Sequence, residues 1–192
     1  MATPTRTRTP LSTADARRDT VITSAIQVFA TNGYLGTPIA AVAEHARISP
    51  AYVFKLFPSK EKLFVAALDR CFELIEESLA RGAEEAAGQR PSDILFAMGG
   101  AYAELIADRS LLMLQVHAQS AAEIPEIGDS LRRGLASVTR YVRDRSGAGD
   151  TAVQRFIAFG QLCHLIVTAG LEQIPEDWAE LLTAGIRHPQ MI

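Results

Sequence analysis

Apolar residues recur at three- and four-residue steps through nearly the whole chain. Ile22, Ala25, Ile26 and Phe29 share one stripe of a helix that starts near residue 15 and stops at Asn32-Gly33. Thr37-Pro38 reads as an N-cap followed by proline at the first helical position, opening a short helix to residue 46 with Ile39, Val42 and Ala43 inward. Ser49-Pro50 repeats that start, and Pro58 stops the second short helix. Ser59 caps a longer one, with Phe64, Leu68, Cys71, Ile75 and Leu79 aligned. Further helices are expected from Pro91 to Asp108, around 110–122, from Pro125 to Arg145, from Asp150 to Gly170, and from Pro175 to Ile186. Neither strand alternation nor an internal repeat is visible. The pattern predicts an all-α protein of about nine helices.

Residues 38–57 carry the most specific pattern. Two short helices joined by a tight turn at about His45–Ile48 make a helix-turn-helix. On the second helix Val53, Leu56 and Phe57 pack against the first, while Ala51, Tyr52 and Lys55 face outward. Phe54 is read as core, together with Val53 and Phe57. So short a helix is marginal alone in water, so the apolar side chains are its anchor. Its width suits the major groove of DNA, with its N-terminal residues nearest the base edges.

Composition sharpens this picture in one respect. The chain is 48% hydrophobic and 21% charged, ordinary for a soluble globular protein, and its net charge is −3. The charge is unevenly placed. Residues 1–62 hold eight Arg or Lys (Arg6, Arg8, Arg17, Arg18, Arg47, Lys55, Lys60, Lys62) against four acids (Asp15, Asp19, Glu44, Glu61), a balance of +4 that leaves −7 for the rest. A basic first third on an acidic body points to an anionic partner for that third. Residues 1–14, with Pro4, Pro10 and repeated Thr-Arg pairs, read as a disordered basic arm. No secretory signal and no apolar run long enough to span a membrane are apparent, so a cytoplasmic protein without a membrane partner is expected. Cys71 and Cys163 read as reduced buried thiols. Neither Cys-x-x-Cys nor metal-ligand spacing among the four His occurs, so no metal or cofactor is expected.

The ordered set Gly33-Tyr34, Thr37, Val42-Ala43, Ile48-Ser49, Phe54, Phe57, and Lys60 with Leu63 resembles the DNA-binding domain of the tetracycline-repressor (TetR) family of bacterial regulators. The resemblance covers about residues 15–64. It implies a helix-turn-helix domain over 15–64 and an effector-binding and dimerisation domain over 65–192. It implies that Thr37 caps a helix and contacts phosphate, that Ser49, Pro50, Ala51, Tyr52 and Lys55 meet bases and backbone, and that Lys60 holds a phosphate beside the positive end of its helix; Arg47 and Phe54 are counted with them as candidate DNA-binding residues. Arg47 replaces the usual turn glycine, Phe54 a frequent tyrosine, Ala40 a frequent cation and Leu56 a frequent histidine. Binding is therefore expected to lean on phosphate contacts, to weaken steeply with salt, and to need a homodimer on a near-palindromic operator.

For the body, the resemblance implies an effector pocket for a small, largely apolar molecule. Phe72, Phe96, Met98, Tyr102, Met113, Val116 and His117 are its candidate lining. It also implies a dimer interface on the last two helices, with Phe156, Gly160, His164, Val167, Trp178 and Leu182 as candidates. The resulting expectation is a ligand-responsive transcriptional repressor. Two other readings stand beside it. A helical adaptor or small-molecule-binding protein without a DNA role leaves the charge split unexplained. A small helical enzyme lacks its chemistry: Glu76-Glu77 and Glu84-Glu85 have no base nearby in sequence, and Gly99-Gly100 follows no strand.

Overall fold

A computed structural model describes residues 13–185, and among these every regular element is helical. In chain order they are α1 (Thr13–Gly36), α2 (Ile39–His45), α3 (Pro50–Leu56), α4 (Lys60–Glu85), α5 (Pro91–Leu105), α6 (Arg109–Ser120), α7 (Pro125–Ser146), α8 (Asp150–Ala169) and α9 (Asp177–Thr183), with a 3₁₀ turn at Leu171–Gln173. The basic arm with Arg6 and Arg8 lies outside the described residues, apart from its last two positions, as does Ile186.

The helix starts follow their sequence signals. The Ser49 and Ser59 hydroxyls accept from the backbone N–H of Tyr52 and Lys62, each at 3.2 Å. Pro50, Pro91 and Pro125 occupy first-turn positions where no donor is lost. Thr37 departs from expectation. It is fully buried, its hydroxyl donates to the Val28 carbonyl at 3.4 Å, and α2 is preceded by Pro38 without a side-chain cap. The carbonyl of α1 lying beneath it captures the hydroxyl, so Thr37 faces neither the helix end nor a phosphate.

Among the described residues, the larger hydrophobic cluster runs from the N-terminal helices into the body. Val21, Phe29, Val42, Val53, Phe57 and Phe64 at the N-terminal end are continuous with Leu79, Met98, Leu114, Ile127 and Val142 of the body. Phe64 is fully buried within it. Its ring meets those of Phe29 and Tyr34 edge-on, with centroids 4.9 and 5.4 Å apart. α4 is the spine, packing on α1, α5, α6 and α7, and α1 also packs along α6. Where α4 meets α7, a Cβ on Gly134 would lie 2.1 Å from the Phe72 ring, so only glycine lets that ring lie between the helices.

α8 corrects one expectation. It is long and apolar enough to cross a membrane, whereas no such run was expected. Only part of that apolarity faces the protomer. Val153, Cys163, His164, Ile166 and Val167 are buried, while Phe159 and Leu165 stand 53% and 52% exposed.

Candidate nucleic-acid interface and ligand cavity

The turn between α2 and α3 closes through the Arg47 and Ile48 N–H groups, which donate to Glu44 and Ala43 carbonyls at 3.0 Å. Arg47 sits in the left-handed region at φ 55°, the one non-glycine residue to do so among those described. An arginine there carries the steric cost that glycine avoids, on the order of 1 kcal/mol. Its side chain is exposed.

α3 is fixed from two sides. Val53 and Phe57, four residues apart, are buried together, and Leu56 is half-buried. Arg18 of α1 closes the other end: its Nη1 donates to the Leu56 carbonyl at 3.0 Å, and its guanidinium lies 4.2 Å from the Phe57 ring centroid. The opposite flank carries Ser49, Pro50, Ala51, Phe54 and Lys55, all exposed, with Tyr52 partly so. Phe54 is thus not core, as expected, but 49% exposed. It is one helical step on from Val53, and a seven-residue helix that buries Val53 and Phe57 has to turn Phe54 out.

The start of α4 borders this flank. Lys60 Nζ donates to the Leu35 carbonyl at 3.4 Å and lies 4.7 Å from the Tyr34 ring centroid. The Tyr34 hydroxyl donates to Glu61 Oε1 at 2.5 Å. That bond, with a second from Ser59, holds the Glu61 carboxyl at about 2. Burial first, then Glu61, pushes the Tyr34 phenol up to about 12. Lys60 is therefore held at the corner where the N–H groups of α4 are directed outward.

A cavity of about 520 Å³ opens in the body between α4, α5, α7 and α8. Phe72, Phe96 and Tyr102, three of the expected residues, line it, with Leu95, Leu135, Val138, Arg155 and Phe159 among residues the sequence reading did not single out. The others lie elsewhere. Met98 is fully buried in the core between helices. Met113 and Val116 pack against a separate cluster of Ile106, Leu112, Cys163 and Val167. His117 faces α1: its Nε2–H donates to the Ala30 carbonyl at 3.2 Å. The face of α6 that carries it is claimed by the α1 junction, where Gln27 Nε2 also donates to Ser110 Oγ at 2.9 Å.

Of the expected interface residues, Phe156 and Gly160 line the cavity instead, and His164 and Val167 are buried inside the protomer. Trp178 is 49% exposed and Leu182 half-buried. The outward apolar stripe is Ala158, Phe159 and Leu165 of α8 beside Trp178 and Leu181 of α9. α8 thus carries two apolar faces, and Phe156, Gly160, His164 and Val167 lie toward the cavity and the protomer interior.

A polar group stands at one end of this cavity. Tyr102 Oη and His164 Nε2 are 2.8 Å apart, Gln115 Nε2 donates to Tyr102 Oη at 3.5 Å, and His164 Nδ1 is buried without a partner. Burial holds the imidazole down at about 4 and pushes the phenol well up, so both are neutral at pH 7. Burial likewise lifts the Cys71 and Cys163 thiols to about 12 and about 11, leaving them protonated and unreactive.

Comparison with known proteins follows this division. Residues 21–67 match the model for bacterial regulatory proteins of the tetR family. The chain is 29% identical over 68 residues to the HTH-type transcriptional repressor NicS of Pseudomonas putida, covering 35% of this chain and 32% of that protein. It is 34% identical over 67 residues to the HTH-type transcriptional repressor KstR of Mycolicibacterium smegmatis, covering 35% and 33%. The matched part thus spans about a third of the length of these relatives. The whole fold is similar to that of the transcriptional regulator FadR from Bacillus subtilis, solved in complex with stearoyl-CoA, with a TM-score of 0.67 at 16% identity over 88% of this chain and 98% of that one. Residues 21–67 are thus similar to the tetR-family segment of bacterial regulatory proteins, and the likeness to solved structures shows a shared fold over most of the chain.

Proposed function

We propose that this chain is a ligand-responsive transcriptional repressor that binds a near-palindromic operator as a homodimer and leaves it when a small, largely apolar effector enters the body. Residues 15–64 are the DNA-binding part and residues 65–192 the effector-binding and dimerisation part. The observation that carries this reading is the geometry of α3: one flank buried with Val53 and Phe57, the other presenting Ala51, Tyr52, Phe54 and Lys55, with Arg47 and Lys60 on either side. Such a flank fits the major groove, and the bordering cations fit phosphates. Two repressors share this segment by sequence, and a regulator with a bound acyl-CoA shares the fold, which supports both a DNA target and an apolar effector. The outward stripe on α8 and α9 is the dimer face, and the protein works in the cytoplasm.

Release follows from differential affinity. A ligand that fills the cavity alters the seat of α4 and α6, whose outer sides hold α1. A coupling of about 1–3 kcal/mol between the two sites is sufficient for regulation. The test is a mobility-shift titration on DNA from upstream of the chain's own coding region. A saturable shift that weakens with salt supports the reading. Binding no tighter than to unrelated DNA of equal length overturns it and leaves a ligand-binding protein without a DNA role.

A further inference from the structure

The cavity has a polar station at each end. A Cβ on Gly99 would lie 3.6 Å from Phe156, and one on Gly160 would lie 3.9 Å from Tyr102. Residues ascending α5 therefore match residues ascending α8, and the two helices point the same way along the cavity. Ser92, Thr151 and Arg155 stand at their N-terminal ends; Tyr102 and Cys163 stand further along, next to His164. From Ser92 to Tyr102 α5 climbs roughly 15 Å, and from Arg155 to His164 α8 climbs roughly 13 Å, at ~1.5 Å per residue. Between the ends the wall is apolar, with Phe72, Ile75, Leu79, Leu95 and Phe156.

The two stations differ in chemistry. Arg155 is the one charged residue of the described lining, and it suits an anion. The far station is neutral and keeps hydrogen-bonding capacity on the Tyr102 hydroxyl in either tautomer, besides the unpartnered His164 Nδ1. If His164 donates from Nε2 to Tyr102, the phenol hydrogen remains for a ligand oxygen. If the phenol donates to Nε2, a lone pair on Tyr102 Oη remains for a ligand hydroxyl, while the buried Nδ1–H is left without an acceptor. A purely hydrocarbon end would leave this group buried and unspent, which favours ligands able to use it.

We propose, resting on the effector reading above, that the cavity takes an elongated apolar acid with a second oxygen function at its far end: the carboxylate meets Arg155, and the hydroxyl or keto oxygen meets Tyr102 beside His164. A chain of about ten carbons, advancing ~1.2 Å per bond along a zigzag, reaches roughly 11 Å, and the hydrogen bonds at its two ends cover the rest of the span.

The test is calorimetric titration of the full-length protein, free of DNA, with decanoate, ω-hydroxydecanoate and the corresponding diol. ω-Hydroxydecanoate is expected to bind about tenfold tighter than decanoate, the effect of one buried hydrogen bond. Tyr102→Phe brings the two acids level. Arg155→Gln weakens both acids about threefold to fivefold, as for a partly exposed ion pair, and leaves the diol unchanged. Decanoate binding as tightly as its hydroxylated form in the unaltered protein overturns the proposal, a comparison that needs no variant to fold. So does an affinity ratio that survives Tyr102→Phe. Loss of both acids in a chain that still binds its operator sinks this ligand class and spares the repressor reading. Tight acid binding in a chain that ignores DNA does the reverse.

Discussion

His117 of α6 lies directly against Gly33 of α1: a Cβ on that glycine would come within 2.9 Å of the imidazole Nδ1. The same imidazole donates to the Ala30 carbonyl, one turn earlier. This is where the body closes on the segment that leads into α2 and α3. Gly33 is constrained twice, by the ring above it and by a backbone at φ 68°, ψ 179° that only glycine takes easily. Gly33→Ala is expected to lower stability by about 2–4 kcal/mol, by steric clash plus backbone strain. The double variant with His117→Ala recovers only the clash. Thermal unfolding of the three variants checks this; full recovery in the double variant would show that backbone conformation is not limiting.

Arg47 gives an opposed pair of effects. Arg47→Gly removes left-handed strain but adds freedom to the unfolded chain, so the melting temperature is expected to move little, within about 1 kcal/mol. Operator affinity is expected to fall severalfold, and the slope of log affinity against log salt to decrease by about one unit, as for one lost phosphate contact. Fluorescence anisotropy across a salt series reads both. An unchanged slope would place Arg47 away from the phosphates.

Acid should act through His164. Its folded value of about 4 lies below the ordinary 6.5 of an unfolded histidine. The unfolded chain therefore takes up the proton first. The contribution of neutral His164 is intact above about pH 6.5 and is lost as pH falls toward 4, amounting to about 2–3 kcal/mol at ~1.4 kcal/mol per unit. His164→Gln, which keeps a polar partner for Tyr102, is expected to flatten the decline in unfolding free energy between pH 7 and pH 4.5 by that amount. Urea titrations at the two pH values measure it, and parallel declines in both proteins would contradict it.

Leu165 and Leu181, 52% and 75% exposed, test the dimer face without touching the cavity wall. Leu165→Glu with Leu181→Glu is expected to give a folded monomer that binds an operator half-site at least tenfold more weakly, since a two-fold interface places each change twice. Sedimentation velocity reports the state. A dimer that persists in the double variant assigns association to another surface.

Much of this architecture was legible beforehand, because local signals and tertiary structure agree. Ser49-Pro50 and Ser59 mark helix starts that the structure keeps, and the periodicity of α4 names the core side chains it buries. Thr37-Pro38 carries the same local signal as Ser49-Pro50, yet its hydroxyl turns inward because Val28 of a distant turn lies beneath it. No pattern along the chain contains that partner. Phe54, expected both in the core and among the DNA-binding candidates, was wrong as core because aromatic residues on a short helix look like anchors whichever way they face. The cavity was harder still. Met98 and Phe72 look equivalent in sequence, and only the angles between α4, α5 and α7 decide which meets space and which meets another helix. Arg155, a lone cation in the apolar run of α8, is the one lining residue that sequence contrast alone marks out.

The most direct measurement titrates the unaltered protein, Tyr52→Ala and Lys55→Ala onto a fluorescent operator fragment, with unfolding curves taken alongside. Both variants are expected to stay folded, each to bind at least tenfold more weakly, and Lys55→Ala also to show a shallower salt dependence. Operator affinity and salt slope in both variants equal to those of the unaltered protein would contradict it, because the outward flank of α3 would then not be the surface that meets DNA.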